Sequence, residues 1–308
     1  MNTYNTLTVY DNVPDEVLDD AAESIRTLEK LWSVTDADSE VYAINHENGQ
    51  RVHVSDTTAT LLQFALNIAE QTGDAFDPTI YPVLKAWGFT TGSYRVPQET
   101  ELEALLQNVG SAHVSLSGNE VCLTPGTEID LGAIAKGFAC DLLAEQLQSH
   151  FVHSAIISLG GGIRLIGAKS DGSPFRVAVR HPDNEHSLGV LSLKDTCIMT
   201  SGAYERYFIG PDGMRYGHIL NPATGCPVDN GVLSVTAIAQ DGKRCDALST
   251  ALFVMGTEQA EAFWRSCGCD FDMLMLTEDG TLILTEGIES AFELDERWAA
   301  LSLRFLRS

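Results

Sequence analysis

The sequence predicts an α+β fold in which mixed or antiparallel sheets carry packed helices, and three observations point to it. Strand-like stretches pair through tight turns, as in His113 to Thr124, bent at Gly118–Asn119, and Met273 to Leu284, bent at Asp279–Gly280. Helical stretches separate these groups without regular strand–helix–strand alternation, which disfavours a doubly wound parallel sheet. Apolar residues make up 44% of a 308-residue chain that has no internal repeat, low-complexity tract or interdomain linker. That predicts one compact, two-lobed unit spanning 1–308 as a single domain.

The elements follow in order. Thr3 to Tyr10 alternates as a strand, and Pro14–Asp15 opens a helix to about Trp32, with Leu18, Ala22, Ile25 and Leu28 at helical spacing. Ser55 caps a second helix whose buried stripe is Leu61, Leu62, Ala65, Ile68 and Ala69, and Gly73 stops it. Gly73 to Pro78 reads as a loop, followed by Tyr81, Pro82 and Trp87–Gly88–Phe89 as loop aromatics, and a short helix follows from about Glu99 to Gln107. Ile129–Asp130 leads through a glycine-bearing loop into a helix from about Ala135 to Gln148. Strands are predicted at Ala155 to Leu159, Ile163 to Ile166, Phe175 to Val179, Val190 to Leu193 and Val232 to Ile238. A helix from about Asp246 to Met255 ends at Gly256, and Thr257 caps the next.

Charge narrows the function classes. The chain carries 43 acidic against 19 basic residues, a net −24, which opposes nucleic acid or an anionic membrane as main partner. An anionic ligand would need a local offset, and a divalent cation would supply one. No run of about 18 apolar residues spans a membrane. Seven cysteines, among them Cys122, Cys140 and Cys245 in apolar or helical surroundings, read as reduced thiols of a cytoplasmic protein. The opening MNTYNTLTVYD has no basic region or apolar run, so the expectation is a cytoplasmic protein. The alternative is an extracytoplasmic, membrane-anchored one whose export segment lies outside this sequence.

Five segments gather polar residues where a loop meets a helix or strand. Asp246 and Thr250, four apart, share one helix face and offer hard oxygens that suit Mg²⁺; equally, Asp246 could simply cap the helix. Asp130 to Gly137 turns into a helix with backbone N–H groups and Lys136 suited to a phosphate, or is an ordinary loop-to-helix turn. In Gly217 to Gly225, His218 precedes an Asn–Pro turn and could be a general base or a structural histidine. Thr200 to Arg206 places small polar residues at a strand end. Phe76–Asp77–Pro78–Thr79, with Tyr81 and Trp87, could stack on a planar ring or anchor a loop to the core. The G-x-S-x-G, H-E-x-x-H, G-x-G-x-x-G, C-x-x-C and P-loop patterns are all absent.

Taken together and in order, these segments resemble the FAD:protein FMN transferase family, the ApbE-type enzymes. The likeness runs from Met1–Asn2–Thr3 through Leu31–Trp32–Ser33, Ser39–Glu40 and Ile44–Asn45 to Gly256. It implies FAD as flavin donor, Mg²⁺ as cofactor, and a Thr or Ser hydroxyl of an acceptor protein, a flavinylated redox subunit, as nucleophile. It further implies Asp246, Thr250 and the carbonyl of Ala133 as metal ligands. Met1, Thr35, Ala75, Phe76, Asp77, Asp130, Lys136 and Ile219 are implied to meet the FAD, and His218 to sit near the transferred phosphate, with Asp246 also catalytic. Two other readings stay open: an FAD pyrophosphatase that uses water as nucleophile, and a module that binds FAD without turnover.

Overall fold

The computed structural model describes residues 3–182 and 185–308. The chain opens with β1 (Asn5–Val9) and α1 (Asp15–Trp32), then α2 (Glu40–His46), β2 (Val52–His53), α3 (Asp56–Gln71), α4 (Tyr81–Trp87) and α5 (Glu99–Leu106). Strands β3 (Val114–Ser117) and β4 (Glu120–Leu123) lead to α6 (Ala135–Ser149). Seven strands follow: β5 (Ser154–Leu159), β6 (Gly162–Gly167), β7 (Phe175–Arg180), β8 (Ser187–Leu193), β9 (Cys197–Gly202), β10 (Tyr207–Ile209) and β11 (Arg215–Gly217). The last stretch holds β12 (Val232–Ala239), α7 (Gly242–Ser266), β13 (Asp272–Thr277), β14 (Thr281–Thr285), β15 (Phe292–Leu294) and β16 (Ser302–Leu306). The architecture is the α+β arrangement expected, and no helix among the described residues is long and apolar enough to cross a membrane.

The chain divides into two compact units. The first comprises residues 1–25, 136–204 and 229–308. Its frame is an eight-stranded sheet in the order β1-β5-β6-β9-β12-β13-β14-β16, whose only parallel pair among the described residues is β14–β16. A three-stranded sheet, β15-β8-β7, buries its inner face against it. Strand β7 shows why, since Phe175, Val177 and Val179 alternate strictly with exposed residues. They pack with Leu188, Leu191, Ile198, Ile238, Leu274 and Leu284 in one core. Helix α7 lies along β9 and β12.

The second unit comprises residues 26–135 and 205–228. It holds α2 to α5, the small sheet β2-β4-β3 and the hairpin β10–β11. Ser55 caps α3 as expected, its hydroxyl accepting from Thr58 N while the Glu40 carboxylate accepts from Ser55 N. Val83, Trp87, Phe89, Leu102 and Leu220 form its apolar core.

Two expectations need correction. The aromatic loop is half helix: Tyr81 to Trp87 form α4, with Pro82 in its first turn, where the missing N–H costs nothing, and left-handed Gly88 closing it. The helix that carries Asp246 begins four residues earlier, at Gly242, capped by Asp241 through Arg244 N. Asp246 is therefore not a cap. Gly256 does break this helix, with φ +74°, and the Asn230 amide donates to the freed carbonyls of Phe253 and Val254. The sequence does not predict the helix α2 or the strands β2, β10, β15 and β16.

Candidate functional site

In the first unit the arrangement centres on Asp246, which is 4% exposed. Lys136 Nζ lies 3.2 Å from Asp246 Oδ1, and Gly137 N donates to Oδ2 at 3.0 Å. Burial raises the Asp246 carboxyl above the ordinary range, and Lys136 and the Gly137 amide only partly offset it. Gly137 is the third residue of α6, so its amide has no acceptor within the helix, and the Asp246 carboxylate supplies one.

One turn further along α7, Thr250 Oγ1 lies 3.3 Å from Ser201 Oγ, which is also 2.8 Å from Ser249 Oγ. Ser249 in turn donates to the carbonyl of Asp246 at 2.8 Å. Asp246 thus opens a turn of α7 that closes on three linked hydroxyls, those of Ser249, Thr250 and Ser201. Ser201 belongs to a segment the sequence singled out for its small polar residues, but its meeting with Thr250 depends on β9 passing under α7. Nothing local in the sequence signals it.

The helix ends here are fixed from outside. Asp141, on α6, accepts from Gly242 N at 2.8 Å and Lys243 N at 3.0 Å, and so satisfies the first amides of α7. Burial pushes its carboxyl up to about 6, against the pull of those two amides. Sequence reasoning missed Asp141. The neighbouring thiols divide: contact with Cys197 and burial push Cys140 well up, burial does the same to Cys245, which donates to the Ala237 carbonyl, and contact with Cys140 and Cys245 holds Cys197 well below the usual thiol range. All seven cysteines are free.

In the second unit, His218 is half-buried with its ring edge-on to Phe89 at 6.4 Å. Its Nδ1 lies 3.1 Å from the carbonyl oxygen of Arg206. A carbonyl can only accept, so Nδ1 carries the proton and Nε2 is the basic nitrogen. Asp130 Oδ1 accepts from Gly132 N at 2.8 Å and shapes the loop, while Asp130 N donates to Pro78 O and ties that loop to the Asp77 turn. Asp77 is 6% exposed; its Oδ1 accepts from Thr79 N and Oγ1, but its buried Oδ2 has no hydrogen-bond partner. Burial raises this carboxyl too.

The remaining predicted residues fall as follows. Phe76 and Ile219 are buried, Ala75 and Ala133 half-buried, and Thr35 exposed in a turn held by Ser33 Oγ. Met1 lies outside the described residues. Tyr81, Trp87 and Phe89 are 5%, 2% and 4% exposed, so these aromatics anchor the core of their unit. Among the described residues no group of three or more His, Cys, Asp or Glu side chains could hold a metal.

Comparison with known proteins gives a consistent result. The model of the ApbE family matches residues 1–274. The chain is 34% identical over 272 residues to an FAD:protein FMN transferase of Vibrio cholerae, covering 86% of this chain and 79% of that one. It is also 34% identical to the FAD:protein FMN transferase of Treponema pallidum, with 83% and 77% covered. Among solved structures it is similar to the ApbE protein of Thermotoga maritima, with TM-score 0.82, 34% identity and coverage of 96% and 94%. The apo flavinyl transferase ApbE of Pseudomonas stutzeri superposes with TM-score 0.83 at 28% identity, covering 94% and 93%.

Proposed function

The chain belongs to the ApbE family, and from that premise we propose that it is an FAD:protein FMN transferase. The acceptor is a Thr or Ser hydroxyl of another protein, the cofactor is Mg²⁺, and AMP is the leaving group. The observation that carries this reading is the surroundings of Asp246. A buried carboxylate is held by a lysine and a helix-end amide, one helical turn from the Thr250 hydroxyl, in a chain of net charge −24.

The hydroxyl oxygen attacks the phosphorus of the FMN half, forming the new phosphoester bond. The pyrophosphate bond to the AMP half breaks, and AMP leaves with that electron pair. The hydroxyl proton passes to His218 Nε2, the nitrogen left basic by the Nδ1 contact with Arg206.

The donor set fits a hard cation. Asp246 and Thr250 offer a carboxylate and a hydroxyl, and the Ala133 carbonyl, just before α6, is proposed as the third oxygen. Few protein oxygens are wanted, because Mg²⁺ keeps places for phosphate oxygens and water. When bound, Mg²⁺ supplies neutralisation of charge on the transferred phosphoryl and the departing AMP. Lys136 and Asp130 bind FAD with Thr35, Ala75, Phe76, Ile219 and Met1. The unpartnered Asp77 Oδ2 supports the same role, since it is an acceptor ready for an N–H or O–H of the flavin. The whole of 1–308 is proposed as the functional domain, a reading supported by the family match to residues 1–274.

The test mixes the protein with FAD, Mg²⁺ and candidate acceptors and looks for a flavin-fluorescent band on a denaturing gel. A band that disappears with EDTA supports the reading. FMN and AMP released with no band would make the protein a pyrophosphatase, and FAD bound but intact would make it a carrier.

A further inference from the structure

We propose that the hairpin β10–β11 is the docking edge for the acceptor protein, which lays an extended segment, apolar at alternate positions and bearing the target hydroxyl, along the open side of β10. This rests on the transferase reading and names how its protein substrate is held.

The register fixes which way the edge faces. Tyr207, Phe208 and Ile209 stand opposite Gly217, Tyr216 and Arg215. His218 N donates to Arg206 O on one side of this stretch, and Gly210 N to Met214 O on the other. Bonded pairs in an antiparallel ladder recur every second residue, so Phe208 bonds Tyr216. Tyr207 and Ile209 therefore turn their N–H and C=O groups away from β11. Among the described residues no strand pairs on that side, since the sheet contains only β10 and β11.

The side chains sort in the same way. Phe208 and Tyr216 pack inward around Trp87, with ring centroids 6.3 and 5.2 Å away. Tyr207 and Ile209 face outward, 47% and 59% exposed, and Met214 at the turn is 60% exposed. Single exposed apolar residues are ordinary, but here two share one strand with an open edge. Natural edges are blunted by charge or proline; Tyr207–Phe208–Ile209 carries neither, and Arg215 of β11 stacks over the Tyr207 ring at 3.8 Å, leaving Ile209 as the apolar contact of the edge.

Charge says what can settle there. Residues 205–218 hold two acidic and two basic side chains, Glu205, Asp212, Arg206 and Arg215, and so sum to zero in a chain of net −24. Another polypeptide approaching this stretch meets no net local repulsion, and backbone hydrogen bonds with apolar contacts can decide the recognition. Strand β11 ends at Gly217, and the next residue is His218, so a segment seated on the hairpin is held beside the base.

The test uses short synthetic peptides, each with one Thr or Ser, incubated with the full chain, FAD and Mg²⁺; the peptide that gains most flavin fluorescence becomes the probe. Ile209→Pro removes only the outward N–H of the edge and leaves the ladder to β11 intact. It should raise KM for that peptide by about tenfold, with kcat and FAD affinity unchanged. Ile209→Ser keeps the N–H, removes the apolar contact and should raise KM by a smaller factor, which keeps the idea testable if the proline variant folds poorly. Parent-like KM in a folded Ile209→Pro and in Ile209→Ser overturns the docking edge alone. A parent protein that binds FAD but labels no peptide and no candidate acceptor overturns the transferase reading, and the docking edge with it.

Discussion

At the scale of single residues, function rests on how each polar atom is committed by its neighbours. His218 gives Nδ1 to the Arg206 carbonyl, which fixes its tautomer and leaves Nε2 to act. His218→Ala should therefore retain FAD binding and lose about 10²- to 10⁴-fold in transfer rate, measured by single-turnover labelling of an acceptor. Parent-like transfer would place the base elsewhere. Asp246 differs in kind, because it is buried and its ionised form is already opposed by burial. Asp246→Asn keeps the volume and can still accept from Gly137 N. Its stability should stay within about 1–2 kcal/mol of the parent by chemical denaturation. Cleavage of FAD should vanish all the same, because the asparagine is a poor partner for a hard cation. Cleavage that persists in this variant with EDTA present would remove Asp246 from the metal site.

At the scale of elements, the helices α6 and α7 meet at a crossing built from two glycines. A Cβ on Gly137 would fall 2.0 Å from Gly242 O, and one on Gly242 would fall 2.6 Å from Gly137 O. Only with both side chains absent can the Gly137 amide reach Asp246. Gly137→Ala should lower stability by about 1–3 kcal/mol and lose FAD cleavage as well, read by melting and by FMN release. Asp141 caps α7 at this crossing, and its raised carboxyl adds a pH signature. A carboxyl raised in the folded state binds more protons folded than unfolded, so its contribution is fully present below the ordinary value of 3.8 and is lost as pH rises through about 6. The groups facing it are Asp241, Cys197, Lys243 and Arg164. Comparing Asp141→Ala with the parent, the parent's advantage in unfolding free energy should shrink by at most about 3 kcal/mol between pH 4 and pH 7. A constant difference across that range would refute the assignment. None of this crossing is legible in the sequence, because Asp141 and Gly242 lie 101 residues apart. What was legible is local: the Ser55 cap, the bend at Gly118–Asn119 and the break at Gly256 each depend on residues within a few positions. The start of α7 was misplaced because Gly242, Lys243 and Arg244 supply no apolar period, and α4 was missed because Pro82 reads as a loop residue until its place in a first turn is known.

At the scale of the whole molecule, charge has the longest reach. A chain of net −24 sets up a negative potential that repels the FAD pyrophosphate, while Lys136 attracts it locally. The two effects differ in range, and salt separates them. At about 0.01 M ionic strength the Debye length is roughly 30 Å, so most of the acidic surface is felt; at about 0.15 M it is roughly 8 Å. A contact between Lys136 and a phosphate, a few ångströms long and partly buried, is screened much less. Without divalent cation, FAD affinity should therefore strengthen as salt rises over this range, because the long-range repulsion is removed first. With Mg²⁺ present the same titration should be flatter, since the cation already offsets the field next to the pyrophosphate. Fluorescence titration of FAD at several salt concentrations, with EDTA and then with Mg²⁺, measures both slopes. If affinity in EDTA weakens with salt, local cations outweigh the acidic surface, and the divalent ion is not needed to reconcile an acidic protein with an anionic ligand.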